Sequence, residues 1–182
     1  MKTTFNEAWL LKEDPCSDGL AFARQCNFDF AKIYDTCERG DWLIWLLRRT
    51  KNLSKSQSVD IAITCAGHVI SIYEKKYPND KAPRNAINAA EKWLKEPSEK
   101  NRKAAASAAS AAAASADASA DASADASASA ANAASADYAA SAAAYAASAA
   151  DASAARLTER KWQANQICKI IPNPFTTQTL TS

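Results

Sequence analysis

Few side chains in this sequence could do chemistry, and one pair stands out by its spacing. Cys65 and His68, within ITCAGHV, are three residues apart, so on a helix they share a face. A thiol beside an imidazole is the start of a metal site or of a nucleophile–base pair. Zinc needs three or four ligands, and Cys16 or Cys37 would have to join from elsewhere in the chain. A cysteine nucleophile needs its base and a surrounding oxyanion loop, and no glycine-rich elbow accompanies the pair. His68 is the chain's single histidine. A packed or hydrogen-bonded histidine is therefore expected, with no catalytic residue, no metal ligand and no cofactor assigned.

The remaining candidates are charged or aromatic. Glu74 and Asp80 flank a YPND turn, with Lys81 and Arg84 just beyond it. Such a cluster fixes a loop to a helix end more often than it performs acid–base work, and ligand contact is its second use. Lys75, Lys76, Lys81, Arg84, Lys92 and Lys95 make residues 75–95 basic, which would suit a phosphate-bearing ligand. Trp42 and Trp45 lie on one helical face with Leu46 and Arg49. They serve as core first and as a stacking platform second. Trp42, Trp45, Arg49, His68, Tyr73, Asp80, Lys81 and Arg84 are accordingly the candidates for contact with a partner or ligand. Three glycines cannot build a phosphate loop or a GxGxxG turn.

Helices must position these groups. Ser17 or Asp18 can open one through GLAFARQC, and Asp29 another through FAKIYDTC. In GDWLIWLLRR, Asp41 is the expected N-cap, and Arg48 and Arg49 fall near the negative end of the macrodipole. Ser54 and Gln57 have capping-box spacing. Beyond them Val59, Ala62, Ala66, Val69 and Tyr73 form one stripe, and Ile61, Cys65, His68 and Ile72 a second. A helix apolar on two sides is a central one. Pro78 ends it at Tyr77, Pro83 suits the first turn of the next helix, and Pro97 stops that helix before Ser98 caps another. The last helix includes RLTERKWQANQICKII and ends before Pro172 and Pro174.

Between these lies an alanine-rich segment, including ADASADASADASAS at residues 116–129. Alanine is the best helix former and is depleted in strands, so helix is expected over coil or sheet. As one helix, residues 104–155 would run roughly 78 Å, against a diameter of about 40 Å for a compact chain of this length. A turn is therefore placed between about 115 and 132, where serine and aspartate weaken the helix. Asp117, Asp121 and Asp125 would form an acidic stripe, and Tyr138 and Tyr145 would fill gaps. Alanine ridges would let this half approach the tryptophan-bearing half closely. An ice-binding face would use regularly spaced threonines, which the segment lacks.

The composition agrees with one all-α domain over residues 1–182: tryptophan-rich helices in 17–96, alanine-rich helices in 98–171, and a tail in 172–182. The net charge of +2 gives no general argument for a nucleic acid polymer. Five cysteines without a CxxC pair suggest reduced thiols. No apolar run approaches a bilayer span, and the N-terminus lacks a signal-peptide core. A cytoplasmic protein without membrane association is expected.

Three blocks carry a family resemblance. They are CERGDWLIWLL at 37–47, the Ala62, Ala66, Val69, Tyr73, Glu74 pattern leading into YPNDKAPRNAINAAEKWL at 77–94, and the alanine-rich stretch followed by ERKWQANQICKII. The chain resembles the Imm-5-like immunity proteins of bacterial polymorphic toxin systems over roughly residues 16–171. The resemblance implies an all-α fold, no catalysis, and a role in binding and neutralising a protein toxin. Similar sequences also fit phages, where such a protein would block a host defence protein or sequester its nucleotide signal.

Overall fold

The computed structural model describes residues 5–117 and 153–176. Among these residues the chain forms eight helices and no strand, the all-α architecture expected. The first helix, α1 (Glu7–Lys12), is not foreseen by periodicity because six residues are too few to show any. Asn6 caps it by accepting the Trp9 N–H at 2.9 Å, and Phe5 and Trp9 pack on Phe30. Tertiary contact, not propensity, holds so short a helix.

Helix α2 (Ser17–Gln25) starts behind Cys16, whose Sγ accepts the Gly19 N–H. Helix α3 (Phe30–Thr36) is capped by Asp29, as expected. The corner between them turns through Asn27 and Phe28, both left-handed at φ 54°. This lets the Phe28 N–H reach back to the Ala23 carbonyl at 2.9 Å, satisfying an orphaned helix-end acceptor.

Helix α4 (Gly40–Arg49) corrects one expectation. It begins at Gly40, so Asp41 lies inside the first turn and is not its cap. Arg39 takes the Asp41 carboxylate with two bonds of 2.8 and 2.6 Å. Gly40 is where α4 meets the last helix: a Cβ there would stand 2.8 Å from Gln163 Cβ and 3.2 Å from the Ala164 nitrogen. Gly40→Ala should therefore destabilise the fold by about 1–2 kcal/mol, because overpacking outweighs the gain in helix propensity. A lowered urea midpoint with unchanged slope is the expected result.

Helix α5 (Lys55–Lys76) is the central one. Ser54 and Gln57 form the complete capping box, and eight residues from Val59 to Tyr73 are buried along it. Tyr77 ends it before Pro78. Helix α6 (Ala82–Lys95) carries Pro83 in its first turn. Ser98 caps α7 (Glu99–Asp117) by accepting the Asn101 N–H. The last helix is α8 (Ser153–Ile170). It packs against both α4 and α5; α5 also packs on α6, and α7 lies along α6. Ala105 and Ala112 of α7 are buried, as are Ala86 and Ala90 of α6. The alanine-rich half thus begins by docking on α6. The remainder of the acidic stripe, the placed turn beyond Asp117, Tyr138 and Tyr145 lie outside the described residues.

The segment expected to be a tail enters the core at its start. Phe175 is 1% exposed and meets the rings of Phe5, Phe30 and Tyr34 at 5.9 Å each. The Tyr34 hydroxyl donates to the Ile171 carbonyl at 2.8 Å. Asn173 donates to the Ala31 carbonyl and to Asp35. Among the described residues, no helix is long and apolar enough to cross a membrane.

Candidate functional site

His68 is partnered, but not with Cys65. Its Nδ1 lies 2.7 Å from Glu159 Oε2, and its ring stacks on Trp162 with centroids 3.7 Å apart and planes at 7°. Glu159 Oε1 accepts from the Gln163 amide at 2.9 Å. The carboxylate is 6% exposed and the imidazole 43%. An ionised carboxylate can only accept, so in the neutral ring Nδ1 carries the hydrogen and Nε2 keeps its lone pair. Cys65 is buried beneath, and burial, with the charge of Glu159, pushes its thiol far above the ordinary range. It is no nucleophile at neutral pH. Glu159 and Trp162 are not among the sequence candidates. The available signal is that Glu159 and Gln163 interrupt the i, i+4 row that continues in Ile167 and Ile171, so two polar residues occupy an inward face.

Tyr73, Asp80, Lys81 and Arg84 gather at the α5–α6 turn and bind one another and the turn. The Tyr73 hydroxyl donates to Asp80 Oδ2 at 2.6 Å, while Asp80 Oδ1 accepts the Ala82 N–H at 2.8 Å. Arg84 grips Glu74 through Nε and Nη2, both at 2.9 Å. That grip holds the Glu74 carboxyl below the usual carboxylate range. Lys81 donates to the Pro78 carbonyl. These bonds pin the turn to both helices.

Trp42 and Trp45 face a third place. An open cavity of about 350 Å³ lies among α2, α3 and α4, walled by Phe22, Ile33, Trp42, Trp45 and Leu46. The Arg39 guanidinium sits 4.5 Å from the centre of the Trp42 ring, and Arg49 lies 5.7 Å from that of Trp45. Burial would raise the Asp41 carboxyl, but the bonds and charge of Arg39, with Arg160 nearby, outweigh it and hold the group below its usual range. The eight sequence candidates therefore divide among this groove, the α5 surface and the α5–α6 turn.

Two free thiols, Cys16 and Cys37, also border the groove. Burial lifts Cys37 to about 11, leaving it almost wholly protonated at neutral pH, whereas Cys16 is exposed. Iodoacetamide at neutral pH should label Cys16 at least about a hundredfold faster than Cys37 or Cys65 in the native protein. Peptide mapping of the labelled thiols checks this. Among the described residues, no three His, Cys, Asp or Glu side chains are placed to hold a metal ion.

A model of the family described as "Imm-5 like putative immunity protein" matches residues 48–170, more than half of the chain. The chain belongs to this family. Neither a curated protein nor a solved structure matches it. In this Imm-5 like protein the matched span begins at the end of α4 and runs through α8. His68, Glu159, Trp162 and the pinned turn fall inside it. The groove walls on α2, α3 and α4 fall before it.

Proposed function

We propose that this protein is a non-enzymatic immunity protein that binds a protein toxin and neutralises it by covering the toxin's working surface. The observation that carries the reading is the aromatic groove between α2 and α4. It is apolar, large enough for bulky side chains of a partner, and flanked by the Arg39–Asp41 pair. Binding hot spots are pockets of this kind, where a few desolvated aromatic and arginine contacts dominate affinity. Family membership supports the reading. So does the state of the groups that could catalyse: Cys65 is buried, and His68 is bound to Glu159 instead.

Sequestration of a nucleotide signal by the basic 75–95 segment is the less favoured reading, because Arg84 is already held by Glu74 through two nitrogens. Calorimetry against cyclic nucleotides separates the two. The direct test is co-expression with each candidate toxin found among the genes neighbouring this one. Survival of the cells, with a complex that stays together on gel filtration, is expected. Undiminished toxicity with no complex would overturn the proposal.

A further inference from the structure

Two adjacent residues of α5, Gly67 and His68, stand out at its exposed surface. Gly67 lies in the middle of a 22-residue helix, exposed, and an added Cβ would meet nothing within 4 Å among the described residues. A glycine there weakens the helix relative to alanine, with no close approach among the described residues to justify it. His68, next in sequence, binds Glu159 of α8, a buried acidic side chain that needs partners and has two among the described residues, His68 and Gln163. What the carboxylate does is hold one imidazole still. It fixes the His68 tautomer, while Trp162 covers one ring face at 3.7 Å. Costly local features of this sort gather where function requires them.

We propose that the surface at Gly67 and His68 is a contact point for the toxin, and that His68 Nε2 accepts a hydrogen bond from an arginine side chain of that partner. Nε2 is the acceptor because Nδ1–H is engaged by Glu159. A guanidinium is a planar donor, and its positive charge is favoured by the carboxylate behind the ring, whereas an acidic partner group would be repelled. The missing side chain at Gly67 leaves room for a partner atom close to the α5 backbone. This inference rests on the immunity reading for the partner's identity, but the chemistry of the site can be read without any toxin.

The chain's single histidine makes its imidazole resonances unambiguous. Long-range proton–nitrogen spectra should show the hydrogen on Nδ1. Titration with N-acetyl-arginine amide should move Nε2 saturably, while N-acetyl-citrulline amide should not. A hydrogen on Nε2, or equal responses to the two probes, would overturn the proposal. Gly67→Ala should raise the melting midpoint of the free protein by about 2–4 °C and yet weaken toxin binding. The bulkier Gly67→Leu and His68→Ala should weaken it by about tenfold or more, as truncating a hot spot does. Because Gly67→Ala strengthens the fold, its loss of binding cannot be attributed to unfolding. Full neutralisation by all three variants would overturn this contact point and leave the immunity reading standing. Failure of the unaltered protein to neutralise would count against that reading instead, with the arginine titration still deciding the site.

Discussion

Phe175→Ala is expected to reduce folding stability by about 3–5 kcal/mol, the range for deleting a fully buried aromatic ring. The ring is 1% exposed and lies between the chain's two ends. Phe5 comes from ahead of α1, Phe30 and Tyr34 come from α3, and Phe175 follows α8. Its loss leaves a cavity that backbone relaxation cannot readily close. The backbone there is pinned by Tyr34 to the Ile171 carbonyl and by Asn173 to Ala31 and Asp35. Tyr34→Phe should cost less, about 1–3 kcal/mol, because it removes a hydrogen bond and leaves a buried acceptor unsatisfied without opening a void of that size. Urea unfolding followed by tryptophan fluorescence, with the slope unchanged, measures both. A change below about 1 kcal/mol for Phe175→Ala would mean that the segment after α8 does not close the aromatic cluster.

The contrast between Phe175 and α5 explains what the sequence revealed. Helix α5 was legible at both ends because its signals are local: Ser54 and Gln57 three apart, and Pro78 one residue past Tyr77. The same holds for Asp29, Pro83 and Ser98, each acting within a single turn. Phe175 has no such signal. A phenylalanine between two prolines and a run of threonines looks like a tail, and only contact across more than 100 residues buries it. Helix α1 shows no local signal for a related reason, since Trp9 and Leu10 packing into the core holds it and not the helix propensity of six residues. Asp41 misled through proximity. It sits next to Gly40 and has a capping side chain, but Arg39 holds its carboxylate and the helix begins one residue earlier, at Gly40.

The candidate site divides along the same line. That Trp42, Trp45 and Arg49 share a face followed from i, i+3 and i, i+4 spacing alone. That this face borders a groove required α2 and α3 to fold over it. His68 was singled out, yet its partner is 91 residues away on α8, beyond the reach of any local pattern. The charged turn offers structure as its first use and ligand contact as its second, and the bonds of Tyr73, Asp80, Lys81 and Arg84 run to one another, to Glu74 and to the turn backbone.

Trp42→Ala should weaken toxin binding by about 30-fold or more, the consequence of losing at least 2 kcal/mol from an aromatic hot spot. Trp42 forms part of the groove wall, touches the Phe22 ring at 5.9 Å and carries the Arg39 guanidinium on its face. Truncation removes the wall and the support for the cation together. Because Trp42 is only partly buried, the fold should survive, and a cooperative thermal transition would confirm it. Arg39→Gln keeps the indole while removing the charge above it together with the two bonds to Asp41. If the groove acts mainly through apolar burial, Arg39→Gln should slow association at low salt and change dissociation little. Under the two proposals above one toxin engages both the groove on α4 and His68 on α5, helices that both pack against α8. The Trp42→Ala and His68→Ala effects should then add in free energy, since the two side chains share no partner among the described residues. Full binding by Trp42→Ala beside lost binding by His68→Ala would place the interface on α5 and α8 alone, within the family's matched span and away from the groove.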